Sequence, residues 1–167
     1  GLIRFRVFVE LRWFLALADE PAIPELVIPD SEKRNQLEAA LTKISVADAL
    51  TVKEIEKTTN HDVKAVEYFI KDKLDKLGGF NQASEFVHFA CTSEDINNLA
   101  YALMLKEAKE QTILPLMANV IYAIEKLASN NADIAMLSRT HGQSASPTTL
   151  GKEMANVVSR LERQYKA

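Results

Sequence analysis

Residues 92–131 read TSEDINNLAYALMLKEAKEQTILPLMANVIYAIEKLASNN, with no glycine and a single proline, Pro115. Ile96, Leu99, Leu103, Ile113, Leu116, Val120, Ile124 and Leu127 mark an apolar stripe at helical spacing, and the pattern resumes directly after Pro115. The head of the run, Thr92-Ser93-Glu94-Asp95, places a hydroxyl three residues before a carboxylate, as a capping box does. We read one long amphipathic helix that the proline kinks rather than ends. No glycine occurs between Gly79 and Gly142, so the usual punctuation is missing over most of the second half and long helices are expected there.

Upstream, Phe5, Val7, Phe8, Leu11, Phe14, Leu15 and Ala18 form an amphipathic helix, with Arg4, Arg6, Glu10 and Arg12 assigned to its outer side. Pro21, Pro24 and Pro29 bracket an extended connection. Asp30 or Ser31 caps a second helix reaching about Lys43, and Ser45 with Asp48 boxes a third reaching about Lys57. After the polar break 58–62, Val63, Val66, Ile70, Leu74 and Leu77 lie on one face of a fourth, stopped by Gly78-Gly79. A short helix is expected from Asn81 or Ser84 to about Ala90. Downstream of the long run, 134–141 reads as extended and Gly142 to Pro147 as a loop, and Pro147-Thr148-Thr149 opens a last helix that runs uncapped into the C-terminus. No internal repeat or low-complexity segment is present.

The composition fits a globular chain. Of 167 residues, 47% are hydrophobic and 26% charged, and glycine and proline number only five each. The formal net charge of −3 offers no electrostatic footprint for nucleic acid or an anionic membrane. One cysteine, Cys91, excludes an intrachain disulfide framework and a cysteine-rich zinc site. No apolar stretch approaches the ~20 residues that span a bilayer, and the sequence reads as that of a soluble cytoplasmic protein.

The chemistry-bearing residues gather at helix junctions. His141, in Ser138-Arg139-Thr140-His141-Gly142-Gln143, can give or take a proton near neutral pH, or can simply bond to backbone on a loop. His61, in Asn60-His61-Asp62, precedes a helix that Asn60 or Asp62 could cap. An imidazole there is either an oriented acid–base or anion contact, or incidental to the cap. His88, between Phe86 and Phe89, reads as a satisfied structural histidine, and Cys91 as packing. Thr92 and Ser93 offer hydroxyls and helix N-terminal amides to a carboxylate or phosphate, although capping alone accounts for them. The acidic pairs Glu54/Glu56 and Glu94/Asp95 read as solvated helix faces. No Gly-rich phosphate loop, Cys-x-x-Cys, His-Glu-x-x-His or Gly-x-Ser-x-Gly is present.

Four segments taken together resemble one family: 58–68 (TTNHDVKAVEY), 85–98 (EFVHFACTSEDINN), 138–143 (SRTHGQ) and 151–157 (GKEMANV). They are similar to the adenylosuccinate lyase family, in the bacterial-type branch of the aspartase/fumarase superfamily. The likeness runs from about Phe5 to the last residue. Thr-His-Gly-Gln alone would indicate only the superfamily, and the other segments narrow it.

The resemblance implies an all-α fold, with an N-terminal helical domain over 1–91 and the incomplete beginning of a central helical bundle over 92–167. It implies release of fumarate by β-elimination from adenylosuccinate, giving AMP, and from succinylaminoimidazole-carboxamide ribotide in purine biosynthesis, with no cofactor or metal. His141 would be the general acid. Asn60, His61 and Asp62 would contact substrate, with His61 near the phosphate or assisting the acid. Thr92 and Ser93 would hold a succinyl carboxylate, with Thr140 and Gln143 beside them in the site. The family is homotetrameric, each site drawing on three subunits.

Ser144 departs from the proline or threonine common in the family. The mobile Gly-Ser-Ser-x-Met-Pro-x-Lys-x-Asn-Pro loop that carries the base has no match here, nor has the Arg-Tyr phosphate segment expected upstream of Gly1. The chain thus reads as an internal fragment, expected to be inactive by itself. The alternatives are another fumarate-releasing lyase of the superfamily, such as argininosuccinate lyase, and a noncatalytic helical interaction module.

Overall fold

A computed structural model describes all residues, 1–167. Its elements are α1 (Leu2–Ala18), α2 (Ser31–Thr42), α3 (Val46–Thr59), α4 (Asp62–Leu77), a 3₁₀ turn (Ala83–Phe86), α5 (Ser93–Ala108), a π-helical turn (Lys109–Ile113), α6 (Leu114–Asn130), β1 (Ala135–Thr140), β2 (Gln143–Thr149) and α7 (Leu150–Lys166). They form two compact units, Gly1–Leu105 and Lys106–Ala167. The helical fold expected from the sequence is the one observed, with one small antiparallel hairpin added.

In the first unit α1, α2 and α4 close around Val7, Leu11, Phe14, Leu37, Leu41, Val66, Phe69, Ile70 and Leu74, with Phe80 and Val87 from either side of the 3₁₀ turn. Burying each large apolar side chain contributes about 1.5–3 kcal/mol, which sets the helix faces. The caps fix the helix starts. Asp30 accepts from the Lys33 amide at 2.7 Å. Ser45 and Asp48 form the full reciprocal box that the sequence indicates. Gly78 and Gly79, at φ 68° and 85°, end α4.

Two local expectations in the first unit need correction. Arg6 and Glu10 are not on the outer side of α1: they are 6% and 1% exposed, because polar partners on other elements meet them. The segment after Asn81 makes only one 3₁₀ turn rather than a helix to Ala90, since His88 and Ala90 take left-handed φ of 62° and 55°. The helix continues past Pro115, as expected, and it accommodates the proline through a π-helical turn lying ahead of it. Proline has no amide and its ring crowds the carbonyl four residues back, Gln111, within that wider turn.

In the second unit α6 packs on α7, with the hairpin between them in sequence. Gly151 makes the closest approach: a Cβ there would meet the Ala128 carbonyl oxygen and lie 2.6 Å from Ala132 Cα. The expected loop 142–147 is largely strand β2, whose ladder with β1 is offset by a bulge between Leu137 and Arg139.

Candidate functional site

At the α3–α4 junction Asn60 ends α3 in the left-handed region, φ 51°, its amide donating to the Glu56 carbonyl at 2.9 Å. His61, rather than Asn60 or Asp62, is the N-cap of α4: its Nδ1 accepts from the Lys64 amide at 3.2 Å. A neutral imidazole held this way carries its proton on Nε2, the nitrogen left to face a ligand. Asp62 Oδ1 accepts from the Val63 amide at 2.9 Å, and Oδ2 pairs with Arg6 Nη2 at 2.6 Å. Burial opposes ionisation of Asp62, but the Val63 amide and the Arg6 guanidinium outweigh it and hold the carboxyl below its ordinary range.

Arg6 also donates from Nε to Asn97 Oδ1 at 2.9 Å. One buried guanidinium therefore joins the Asn-His-Asp segment on α4 to the Thr-Ser-Glu-Asp-Ile-Asn-Asn segment on α5. One turn further along α1, Glu10 Oε1 lies 2.6 Å from His88 Nδ1, and Trp13 Nε1 donates to the Phe89 carbonyl at 2.7 Å. Residues 6, 10 and 13 form a polar seam at helical spacing beside the apolar stripe of α1. The sequence reading missed this seam: the i, i+4, i+7 spacing of these side chains is visible in the sequence, but the distant partners that meet them are not. His88 does have the satisfied structural setting expected of it. Burial pushes the Glu10 carboxyl up, against the opposing pull of His88. Burial, with the charges of Glu10, Asp95 and Glu67, pushes the Cys91 thiol up to about 11, so it is protonated and poorly nucleophilic at neutral pH.

At the head of α5 the Thr92 amide and hydroxyl both donate to Asp95 Oδ2, at 2.7 and 3.0 Å. This is the carboxylate half of the expected capping box, and these contacts hold the Asp95 carboxyl low. The half-buried Ser93 hydroxyl takes no partner within the chain. Beside the α3–α4 junction, Lys53, Glu56, Lys57, Asn60, His61 and Asp62 line an open cleft of about 610 Å³. A second cavity, about 540 Å³, shares Lys53, Glu56 and Asp62 and adds Arg4, Arg6 and Tyr101. Glu54 pairs with Lys57 and Glu56 with Lys53, at 2.7 Å each, as a solvated face does.

In the second unit Thr140, His141 and Gln143 are exposed at the hairpin tip. His141 and Gly142 are its two loop residues, with φ of 49° and 79°, the paired left-handed conformation of a type I′ turn. Histidine is among the few non-glycine residues that adopt this region with any frequency, and the ladder on either side fixes its position. The structure thus joins Asp62 to Asn97 of the Thr92–Asn98 segment through Arg6, sets Asn60 and His61 beside Asp62 in the same cleft, and presents His141 with its neighbours in the other unit.

Compared with known proteins, residues 2–167 match a family model described as Lyase. The chain belongs to this lyase family. Among its relatives are adenylosuccinate lyases: that of Vibrio cholerae serotype O1 is 56% identical over 166 residues and that of Escherichia coli K12 is 53% identical, each alignment covering 99% of this chain and 36% of the relative. That of Haemophilus influenzae is 54% identical over 167 residues, with the same coverage. The chain thus spans about a third of the length of these relatives. A solved fumarate lyase from Mesorhizobium sp. BNC1 has the same fold over 99% of this chain and 36% of its own, with a TM-score of 0.74 at 22% identity. A 3-carboxy-cis,cis-muconate lactonizing enzyme from Pseudomonas putida matches with a TM-score of 0.63 at 19% identity.

Proposed function

We propose that this chain is the N-terminal part of an adenylosuccinate lyase that releases fumarate from adenylosuccinate to give AMP, and from succinylaminoimidazole-carboxamide ribotide in purine biosynthesis. The observation that carries the reading is identity above 50% to adenylosuccinate lyases over 99% of the chain. Residues 1–91 form its N-terminal helical domain and 92–167 begin its central bundle. The enzyme works as a cytoplasmic homotetramer, and no helix of this chain is long and apolar enough to cross a membrane.

In the elimination a base removes a proton from the carbon beside a succinyl carboxylate. The carbon–nitrogen bond then breaks as the fumarate double bond forms, and an acid protonates the departing nitrogen. The chain supplies the second half. His141 is the acid, its exposed left-handed turn offering the imidazole to a ligand, with Thr140 and Gln143 flanking it. Thr92 and Ser93 hold a succinyl carboxylate: the unpartnered Ser93 hydroxyl donates to it, Thr92 joins once its hydroxyl turns from Asp95 to the ligand, and the N-terminal dipole of α5 favours the anion. Asn60, His61 and Asp62 contact the nucleotide from the cleft beside α4, His61 through Nε2 on the phosphate or in support of the acid. The base lies in the part of the enzyme beyond this chain.

The test is a product assay on the full-length protein with adenylosuccinate and, separately, argininosuccinate. Equimolar AMP and fumarate from the first and nothing from the second is the expected result. Turnover of argininosuccinate instead would move the assignment within the superfamily, and turnover of neither would favour a noncatalytic module.

A further inference from the structure

We propose that Glu10, His88 and Cys91 form a binding site for a thiophilic divalent cation of the zinc class, separate from the residues assigned to the elimination. One potential ligand atom from each residue lies within 4.8 Å of the others. The three chemistries, imidazole nitrogen, thiol sulfur and carboxylate oxygen, are those that zinc takes in mixed sites, whereas magnesium and calcium select oxygen alone.

The spacing agrees on the edge that matters most. Cys91 Sγ lies 3.5 Å from His88 Nδ1. A tetrahedral zinc with bonds of about 2.05 Å to nitrogen and 2.3 Å to sulfur separates those two atoms by about 3.5 Å. Glu10 Oε1, at 2.6 Å from Nδ1, is closer than the roughly 3.4 Å of a nitrogen–oxygen edge. The carboxylate must withdraw by less than about 1 Å, and the protons balance: Cys91 Sγ gives up its proton to solvent as the zinc–sulfur bond forms, and His88 Nδ1 gives up any proton shared with Glu10, the imidazole keeping its proton on Nε2.

The other carboxylate oxygen gives the second, independent observation. Glu10 is 1% exposed, and its Oε2 is buried with no hydrogen-bond partner. A buried carboxylate oxygen without a donor is destabilising, and a cation supplies what it lacks. Access is open: the His88 side chain is 19% exposed and Cys91 is half-buried. With three protein ligands the cation keeps a fourth position for water. The proposal stands whether or not the lyase reading does.

The test uses Co²⁺ as a spectroscopic substitute and Zn²⁺ in calorimetric titration, on the metal-free protein and its Cys91→Ala variant. Expected are one equivalent of Zn²⁺ per chain, a thiolate-to-cobalt charge-transfer band in the wild type, and at least tenfold weaker Zn²⁺ binding without the band in Cys91→Ala. Saturating Zn²⁺ should raise the thermal midpoint of the wild type alone, because it binds the folded ligand set. The absence of the charge-transfer band in the wild type, or equal Zn²⁺ affinity in the two proteins, overturns the proposal. Neither wild-type reading depends on the variant folding.

Discussion

Arg6 shows what a single buried charge does in this molecule. Its side chain is 7% exposed, and its guanidinium bonds Asp62 and Asn97 on two other helices. Arg6→Met keeps the aliphatic stem but removes both contacts. Hydrogen bonds to charged groups contribute about 1.5–3 kcal/mol each, so urea denaturation should show a loss of about that size, limited by Asp62 being 46% exposed and able to take water instead. Asp48 gives a pH signature. Hydrogen bonds from Lys73 and Ser45 lower its carboxyl to about 2, so the unfolded chain binds the extra proton in the window between that value and the ordinary aspartate range near 4. Its stabilisation is full above about pH 4 and is lost as pH falls toward 2. Asp48→Asn should flatten that acid limb in a pH series of denaturation midpoints, and an unchanged limb would place the acid sensitivity elsewhere. The Ser45–Asp48 box was legible because it is a local pattern four residues long. Arg6 and Glu10 were not, because their partners lie 56 to 91 residues away in sequence and a charged side chain reads as solvent-facing until those partners are known.

At the scale of elements, the helices follow from period and punctuation, since α2, α3 and α4 all start within one or two residues of the caps that the sequence offers. The hairpin was harder to see. Strand β2 reads Gln-Ser-Ala-Ser-Pro-Thr-Thr, without alternating apolar residues and with a proline, so nothing local marks it as a strand. The clue was the His141-Gly142 pair, two residues able to turn left-handed between extended flanks. Gly151 carries the prediction at this scale. Its Cβ-free backbone lets the start of α7 lie against the end of α6, with its amide donating to the Asn131 carbonyl at 2.9 Å. Gly151→Ala must push the two backbones apart, and overpacking of this kind costs about 1–3 kcal/mol. Its thermal midpoint should fall while far-ultraviolet circular dichroism still reports the helices, and an unchanged midpoint would mean that the α6–α7 contact yields without cost.

For the whole molecule, the open question is what covers the apolar surface. Leu116, Val120, Tyr122 and Leu127 of α6 are each more than half exposed, as are Leu99 and Leu105 of α5. Exposed apolar side chains in this number drive association. By sedimentation velocity, the 167-residue chain alone should run as a dimer or larger species, and a strictly monomeric profile at all concentrations would contradict that. The family was legible because the four segments are nearly unbroken motifs. The assembly was not, because surface left bare on one chain does not name what covers it. The central claim is that His141, held at the tip of its hairpin, donates the proton to the departing nitrogen. Its most direct test is the rate of fumarate release by the full-length protein carrying His141→Asn, since asparagine keeps the left-handed turn and removes the acid. Loss of a general acid lowers turnover by about 10²–10⁴, and a loss in that range with the fold intact is the predicted result. Near-normal fumarate release from the variant would contradict the account.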